Sequence, residues 1–154
     1  MPPRVSVQHE DFDLSHECAA LQGSDGRVGA VCSFVGTVRS SGGVAAMELE
    51  HYPGMTERAI EAMVDEAQRR FDIFGVRVIH RVGELKPGEQ IVMVAVTSAH
   101  RHQSFQACEF LMDYLKTQAP FWKKEHTPQG AQWVDARVSD DEALTRWGIE
   151  AKNA

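Results

Sequence analysis

The chain has no long hydrophobic run and too few cysteines for a disulfide framework. No stretch approaches the ~20 uninterrupted apolar residues that a membrane-spanning helix needs. The start of the chain, MPPRVSVQHEDFDL, lacks the apolar core of a signal peptide. Its three cysteines are odd in number and widely spaced, as in reduced cytosolic proteins. These absences predict a cytoplasmic protein without a membrane segment.

The sequence also lacks a positive charge balance and the common ligand-binding motifs. A net charge of −6 argues against general nucleic-acid binding, so any basic patch must be local. The seven histidines show no HxxxH or HExxH spacing and the cysteines no CxxC, so no metal site is predicted. Walker and dinucleotide-binding glycine motifs are missing as well. No cofactor is therefore expected.

The composition that remains is that of a globular protein with a real core. A chain of 154 residues with 43% hydrophobic residues fits a single domain over 1–154. Strands occur as hairpins interrupted by helices rather than in strict alternation with them. This order favours an α+β fold with a mixed, largely antiparallel sheet packed with helices.

Hydrophobic periodicity predicts the individual elements. Helices are expected over 13–22, 53–71, 100–119 and 139–147, with Asp13 or Ser15 capping the first and Pro120 ending the third. Strands are expected over 4–8, 27–39, 44–52, 76–85 and 90–99, and two short extended segments over 121–136 surround the turn TPQG.

Two strand pairings are predicted from the turns between these segments. The near-continuous apolar run 27–39 is expected to be buried on both faces, with a bulge or close backbone approach at Gly36. Segment 44–52 should return antiparallel to it, which places Arg39 at the mouth of that hairpin. Segments 76–85 and 90–99 should form a second hairpin around the turn KPGE.

The stretch TSAHRH (97–102) joins a buried strand to the start of a long helix. Unpaired N–H groups and a positive partial charge at a helix start favour anions, so His100 and Arg101 are candidates for an anion site. An exposed helix start with incidental basic residues is the alternative.

The stretch DYLKTQAPFWKKE (113–125) carries three lysines. Lys116 lies four residues after Met112 and therefore on the side of the apolar row. It either extends past that row to water or supplies a base or nucleophile. Lys123 and Lys124 follow on an extended segment whose side chains alternate, so only one of them should join Lys116.

Arg39 and Arg137 stand at the ends of predicted strands, where functional residues often occur. Several guanidinium and ammonium groups that converge in an acidic protein would imply a small anionic ligand. A catalytic thiol is a weaker interpretation, because Cys32 and Cys108 lie among apolar neighbours and resemble core residues.

Six stretches together resemble one known family, the large, catalytic subunit of molybdopterin synthase. They are FVGTVR (34–39), LEHYPGMTE (49–57), HRVGEL (80–85), VTSAHR (96–101), MDYLKTQAPFWKKE (112–125) and WVDAR (133–137). The resemblance covers roughly residues 27–147, so segment 1–26 lies outside it.

The resemblance implies a hammerhead-like α+β fold and a sulfur-transferring enzyme of molybdenum cofactor biosynthesis. The family converts cyclic pyranopterin monophosphate to molybdopterin with two sulfurs from the C-terminal Gly-Gly thiocarboxylate of a small ubiquitin-like partner. Two large subunits form a homodimer within a heterotetramer, and each active site uses residues from both.

The resemblance also implies roles for individual residues. Lys116 and Lys123 match catalytic lysines, and Phe34 and Met112 match apolar residues that line the pocket. The substrate-binding positions are matched by Thr37, Val38, Arg39, His100, Arg101, Lys124, Glu125 and Arg137, together with both catalytic lysines. The loop SSGG after Arg39 is shorter than in familiar members, and Thr37 replaces a basic residue found in some of them.

Overall fold

The computed structural model describes residues 3–40, 45–134 and 145–148. Within these ranges the helices are α1 (Leu14–Gln22), α2 (Met55–Arg70) and α3 (Arg101–Gln118). The strands are β1 (Val5–Gln8), β2 (Ala30–Thr37), β3 (Ala46–His51), β4 (Val76–Arg81), β5 (Gly83–Leu85), β6 (Gln90–Ser98), β7 (Phe121–Thr127) and β8 (Gly130–Val134).

The strands divide between two four-stranded sheets. The first sheet has the order β1-β4-β6-β2, in which β1 and β4 are parallel and the other pairs antiparallel. The second has the order β5-β3-β7-β8 and is antiparallel throughout. The predicted α+β class with largely antiparallel pairing is confirmed, but two sheets are present where one was expected.

Two apolar clusters lie close to the junction of these sheets. The larger one packs α2 and α3 against the first sheet, with Ile60, Val94 and Phe110 fully buried. The smaller one contains Val38, Met47, Leu49, Val82 and Leu85. Val7, Ile91 and Phe121 are partly buried and pack against both clusters. Phe121 therefore links the helical layer to the second sheet.

The helix ends follow from local chemistry. The Asp13 carboxylate accepts a hydrogen bond from the His16 N–H at 3.0 Å, which confirms Asp13 as the cap of α1. At the start of α2, the Glu57 side chain accepts from the Gly54 N–H at 3.0 Å. Helix α3 ends as predicted, because Ala119 before Pro120 is extended, with φ −75° and ψ 134°.

The predicted hairpin of 27–39 with 44–52 is wrong. Strand β2 pairs along its length with β6, and β3 lies in the second sheet between β5 and β7. Arg39 therefore follows a strand of the first sheet rather than standing at a hairpin mouth. Apolar alternation identifies a strand but not its partner, so it does not distinguish a hairpin from the pairing with distant strands that the structure shows.

The expected burial of β2 on both faces is also wrong. This strand is the edge of the first sheet, and the Val31 and Phe34 side chains are each 40% exposed. The predicted irregularity at Gly36 is confirmed, since the register with β6 shifts between Gly36 and Thr37. An apolar run at a sheet edge leaves a hydrophobic surface open to a ligand or another chain.

Segment 76–85 contains two strands instead of one. Strand β4 pairs antiparallel with β6 as predicted, but the chain then turns at Gly83 and β5 joins the second sheet. Gly83 has a φ of +93°, a conformation that glycine adopts without steric cost. The extended segments after Pro120 are confirmed as the antiparallel pair β7 and β8.

Most of the predicted helix 139–147 lies outside the described residues, and so does Arg137. In the part of the chain that the structure describes, no helix is long and apolar enough to cross a membrane.

Candidate functional site

The turn between α3 and β7 brings the two predicted catalytic lysines to one region. The Phe121 N–H donates to the Ala119 carbonyl at 2.8 Å, and the buried Thr56 hydroxyl donates to the Pro120 carbonyl at 3.0 Å. This anchored turn places Lys116, in the last turn of α3, near the start of the strand that carries Lys123.

An aromatic stack lies beside this turn. The Phe121 and His80 rings have centroids 3.9 Å apart and planes inclined by 20°. Phe121 and Lys123 project from the same face of β7, because they are two residues apart on a strand. Lys116 lies close enough to His80 to act on its pKa. Lys116 and Lys123 therefore lie around a common aromatic centre.

The pKa of His80 is lowered to about 4. Burial of the ring is the largest cause, because desolvation disfavours the imidazolium. The hydrogen bond with the Arg81 carbonyl acts in the opposite direction, and coulombic interactions with Lys116 and His51 lower the pKa of His80 further. The ring is consequently neutral at physiological pH.

Lys123 and Lys124 project from opposite faces of the second sheet, as their alternation predicted. The Lys123 Nζ atom lies 3.6 Å from the Glu125 carboxylate, on the face that carries the buried Leu49 opposite it. The Lys124 Nζ atom lies 4.7 Å from the centre of the Trp133 ring on the other face. Lys123 is thus the member of the pair that shares the Phe121 face.

Val38, which directly follows β2, is buried on the side of the molecule where Phe121 packs. Val38 packs in the smaller cluster, against which Phe121 also packs. Its N–H donates to the Glu89 carbonyl at 2.9 Å, and its carbonyl accepts from the Gly88 N–H at 2.8 Å. The flanking Thr37 and Arg39 are exposed. Arg39 therefore leaves the backbone beside the cluster that supports Phe121.

An apolar groove of about 290 Å³ lies between β2 and α3. Phe34 and Met112, the predicted pocket-lining residues, both contribute to it, and Lys116 follows one helical turn after Met112. Phe105 belongs to its wall and is 57% exposed. The remaining lining residues are Cys32, Ser33, Cys108, Glu109 and Asp113.

The two carboxylates of the groove already have a cationic partner. Arg146 lies 2.9 Å from both the Glu109 and the Asp113 carboxylates, and the Trp147 indole N–H donates to Asp113 at 2.7 Å. Because these charges are paired, the groove does not present unopposed negative charge to an anionic ligand.

His100 and Arg101 lie at the far end of α3. His100 is the N-cap residue and Arg101 the first residue of the helix, and both side chains are exposed. Lys116 lies fifteen positions after Arg101, which corresponds to about 22 Å along the helix axis. The structure of one chain therefore does not bring this pair to the two lysines.

The cysteines of the groove are not arranged as nucleophiles. The buried Cys108 thiol has a raised pKa because it is desolvated, and its neighbour Cys32 raises it further. A thiol of raised pKa carries little of the thiolate that attacks a carbonyl. The geometry therefore favours Cys108 as a core residue. Among the described residues, no group of three or more histidines, cysteines and carboxylates is placed to hold a metal ion.

The sequence interpretation missed His80 and Phe121. The sequence did contain a signal for His80. Val76, Val78 and His80 alternate along β4 and share one face, so a titratable ring follows two buried valines. The stretch HRVGEL contributed to the family resemblance, but His80 within it was not identified as a site residue.

Comparisons with known proteins agree on one family. A family model described as MoaE protein matches residues 7–118. A molybdopterin synthase catalytic subunit from Ralstonia nicotianae is 59% identical over 155 aligned residues, covering 99% of this chain and 88% of the relative. A subunit of the same name from Vibrio cholerae is 54% identical over 151 residues, covering 96% of this chain and 99% of the relative.

A solved structure is similar as well. The molybdopterin biosynthesis MoaE protein from Burkholderia ambifaria superposes with a TM-score of 0.84 and 58% sequence identity. The match covers 95% of this chain and 98% of that one. The two-sheet architecture is thus shared along nearly the whole length of both proteins.

Proposed function

The chain belongs to the MoaE protein family, and on that basis we propose that it is the catalytic subunit of a molybdopterin synthase. In this role it transfers two sulfurs to cyclic pyranopterin monophosphate, in the biosynthesis of the molybdenum cofactor. The sulfurs come from the C-terminal thiocarboxylate of a small ubiquitin-like partner. We place the reaction in the cytoplasm, which agrees with three cysteines that are all free thiols.

One observation carries this proposal: the lining of an apolar groove extends to Met112 and Asp113, about one helical turn before Lys116. Phe34 and Met112 line this groove, which lies between β2 and α3. Lys123 lies on the β7 face of Phe121, and Arg39 follows Val38 of the smaller cluster, against which Phe121 also packs. We call Lys116, Lys123 and Arg39 the cationic cluster. Such a site favours a chain that is uncharged along its length and anionic at its end.

A Gly-Gly thiocarboxylate tail has these properties. Glycines carry no side chain, so an extended tail fits a narrow groove, and the terminal thiocarboxylate meets the lysines. The phosphate of the pterin substrate is a second anion that Arg39 suits, because guanidinium binds phosphate oxygens in bidentate fashion. Glu125 holds Lys123 at 3.6 Å and thereby limits the positions of its ammonium group.

The lysines are proposed to stabilise developing negative charge and to transfer protons during this reaction. The tail sulfur bonds to a pterin carbon while a C–O bond of that carbon breaks, and the electron pair leaves on the oxygen, either on the phosphate or, after protonation, as water. Water subsequently cleaves the bond between sulfur and the acyl carbon. Sulfur stays on the pterin and the partner leaves as a carboxylate. Negative charge develops on the acyl oxygen when water adds, and a nearby ammonium group stabilises it. Lys116 also suits proton transfer to the departing thiolate. No enzyme thiol is needed, in agreement with the raised pKa of Cys108.

The separation within α3 supports an active site built from two chains. His100 and Arg101 match substrate-binding positions, yet about 22 Å of helix separates Arg101 from Lys116 in one chain. A second copy removes this conflict, because its His100 and Arg101 can approach the lysines of the first. We therefore propose a homodimer that carries one small partner subunit at each end.

The proposal is tested by Lys116→Ala in a single-turnover assay with the pterin precursor and thiocarboxylated partner. Lys116 is exposed at a helix end, so we expect an unchanged fold and unchanged partner binding, with product formation abolished. The matched control is Arg69→Ala, which removes an exposed basic side chain from the last turn of α2. Near-normal turnover by Lys116→Ala would overturn the catalytic role.

The same assay separates this function from that of a non-catalytic binding module. Such a module would bind the partner's tail and the pterin tightly in the unsubstituted protein but form no dithiolene product. Substitution of the groove cysteines provides a further check, because loss of activity in a folded Cys32→Ala or Cys108→Ala variant would favour thiol chemistry instead.

A further inference from the structure

We propose that His80 is a positioning residue for sulfur transfer, which fixes the turn between Lys116 and Lys123 through its stack on Phe121. This inference rests on the proposed function, because it assumes that these two lysines act on the thiocarboxylate tail. It adds a residue that neither contacts the tail nor belongs to the cationic cluster.

The ring of His80 is held in a defined orientation. Its Nδ1 atom lies 2.9 Å from the Arg81 carbonyl oxygen, an acceptor, so Nδ1 carries the proton and donates it. The ring plane is then nearly parallel to that of Phe121, at 20° and a centroid distance of 3.9 Å. One hydrogen bond and one stack together leave the imidazole little freedom to rotate.

Phe121 connects the fixed His80 ring to the segment between Lys116 and Lys123. It is the first residue of β7 and follows Pro120, which ends the helix that carries Lys116. The Thr56 hydroxyl holds the Pro120 carbonyl at 3.0 Å. His80 holds the next side chain in the sequence. The Thr56 side chain of α2 thus holds the backbone of the turn, and the His80 ring of β4 holds the Phe121 side chain that follows it.

The neutral state of the imidazole matters at this place. The charged or titratable groups that act on it are Lys116 from α3 and His51 from β3. A protonated His80 would be repelled by the Lys116 ammonium group and would compete with it for an anionic tail. Burial and these neighbours lower the pKa of His80 to about 4. The ring therefore supports Lys116 without adding positive charge to the site.

Three substitutions separate the contributions of the ring and of its hydrogen bond. His80→Phe keeps an aromatic ring on Phe121, His80→Gln keeps an N–H donor without a ring, and His80→Ala removes both. Displacement of a catalytic group by ~1 Å costs about 10²-fold in rate. We therefore expect kcat to fall about 10- to 100-fold for His80→Ala and His80→Gln, with the pterin KM changed by less than about threefold.

His80→Phe is the variant that tests whether the aromatic stack on Phe121 is sufficient for activity. We expect it to restore kcat to within about fivefold of the unsubstituted protein, because the stack is retained. His16→Ala is the matched control, since His16 is an exposed histidine on α1, and it should be fully active. Circular dichroism and thermal melting verify the fold of each variant.

Two results would overturn the inference: a folded His80→Phe that is as slow as His80→Ala, or a His80→Ala within about twofold of the unsubstituted protein. Absence of turnover in the unsubstituted protein would instead refute the proposed function. Imidazole ¹⁵N NMR tests the tautomer and the pKa of His80 without a turnover assay. We expect His80 to keep a protonated Nδ1 and to titrate near pH 4. Its pKa should rise in Lys116→Met, and an unchanged pKa there would contradict the electrostatic influence of Lys116 on His80.

Discussion

Lys123 and Lys124 are adjacent in sequence, yet they belong to two different surfaces of the second sheet. The Lys123 Nζ atom lies 3.6 Å from the Glu125 carboxylate on the face that carries Phe121. The Lys124 Nζ atom lies 4.7 Å from the centre of the Trp133 ring on the opposite face. Strand geometry thus assigns one of two identical side chains to the cationic cluster and the other to an aromatic surface.

This difference predicts unequal effects of two alanine substitutions. Lys123→Ala should lower kcat by about 100-fold or more, because it removes a cation from the site of developing charge. Lys124→Ala should lower kcat by less than about fivefold, since it loses an exposed cation–π contact of about 1 kcal/mol. Single-turnover rates with thiocarboxylated partner measure both. Equal losses would contradict the assignment of faces to function.

The shared active site predicts complementation between inactive variants. Lys116→Ala and Arg101→Ala should each be inactive alone, because every site then lacks one essential group. Co-expressed, they form mixed dimers in which one of two sites has Lys116 from one chain and Arg101 from the other. About a quarter of normal activity is expected for random pairing. A mixture as inactive as its components would indicate that both residues act within one chain.

The bulge of β2 predicts that Gly36 tolerates no side chain. A Cβ atom there would lie 2.9 Å from Val92 Cγ1 and 3.4 Å from the Phe34 ring. Gly36→Ala should therefore destabilise the fold by about 1–3 kcal/mol through overpacking. Gly26→Ala is the control, because a Cβ atom there would meet nothing within 4 Å. Urea denaturation compares the two, and equal midpoints would contradict the predicted clash.

The neutral His80 predicts a pH-dependent part of the stability. Its pKa is about 4 in the folded protein against an unperturbed 6.5, so between these values the unfolded chain binds a proton that the folded chain does not. The free energy of unfolding should accordingly fall as the pH falls from 6.5 to about 4. The contribution is on the order of 3 kcal/mol.

His80→Phe isolates this contribution, because it removes the titrating group and keeps a ring on Phe121. The difference in unfolding free energy between the unsubstituted protein and His80→Phe should shift by on the order of 3 kcal/mol between pH 7 and pH 4, in favour of the variant. Urea denaturation at several pH values measures it. Exposed carboxylates titrate alike in both proteins and cancel. A difference that stays constant with pH would contradict a neutral His80.

Local patterns in the sequence were enough for most of the elements. The cap at Asp13, the end of α3 before Pro120 and the pair β7 and β8 around TPQG depend on residues close together in the chain. The alternation that separates Lys123 from Lys124 is of the same kind. The resemblance over 27–147 then indicated the family, which the comparisons confirmed.

Strand partners and the composition of the site depended on distant contacts. Alternating hydrophobicity is the same whether β2 pairs with β3 or with β6, so it does not select the partner that the structure shows. The stack of His80 on Phe121 joins residues 41 positions apart, and no local pattern encodes it. The amino-acid sequence by itself thus determined the family, the three helices that the structure describes and the cationic residue types. Only the tertiary structure decided which of them meet, because packing selects among partners that local chemistry leaves equivalent.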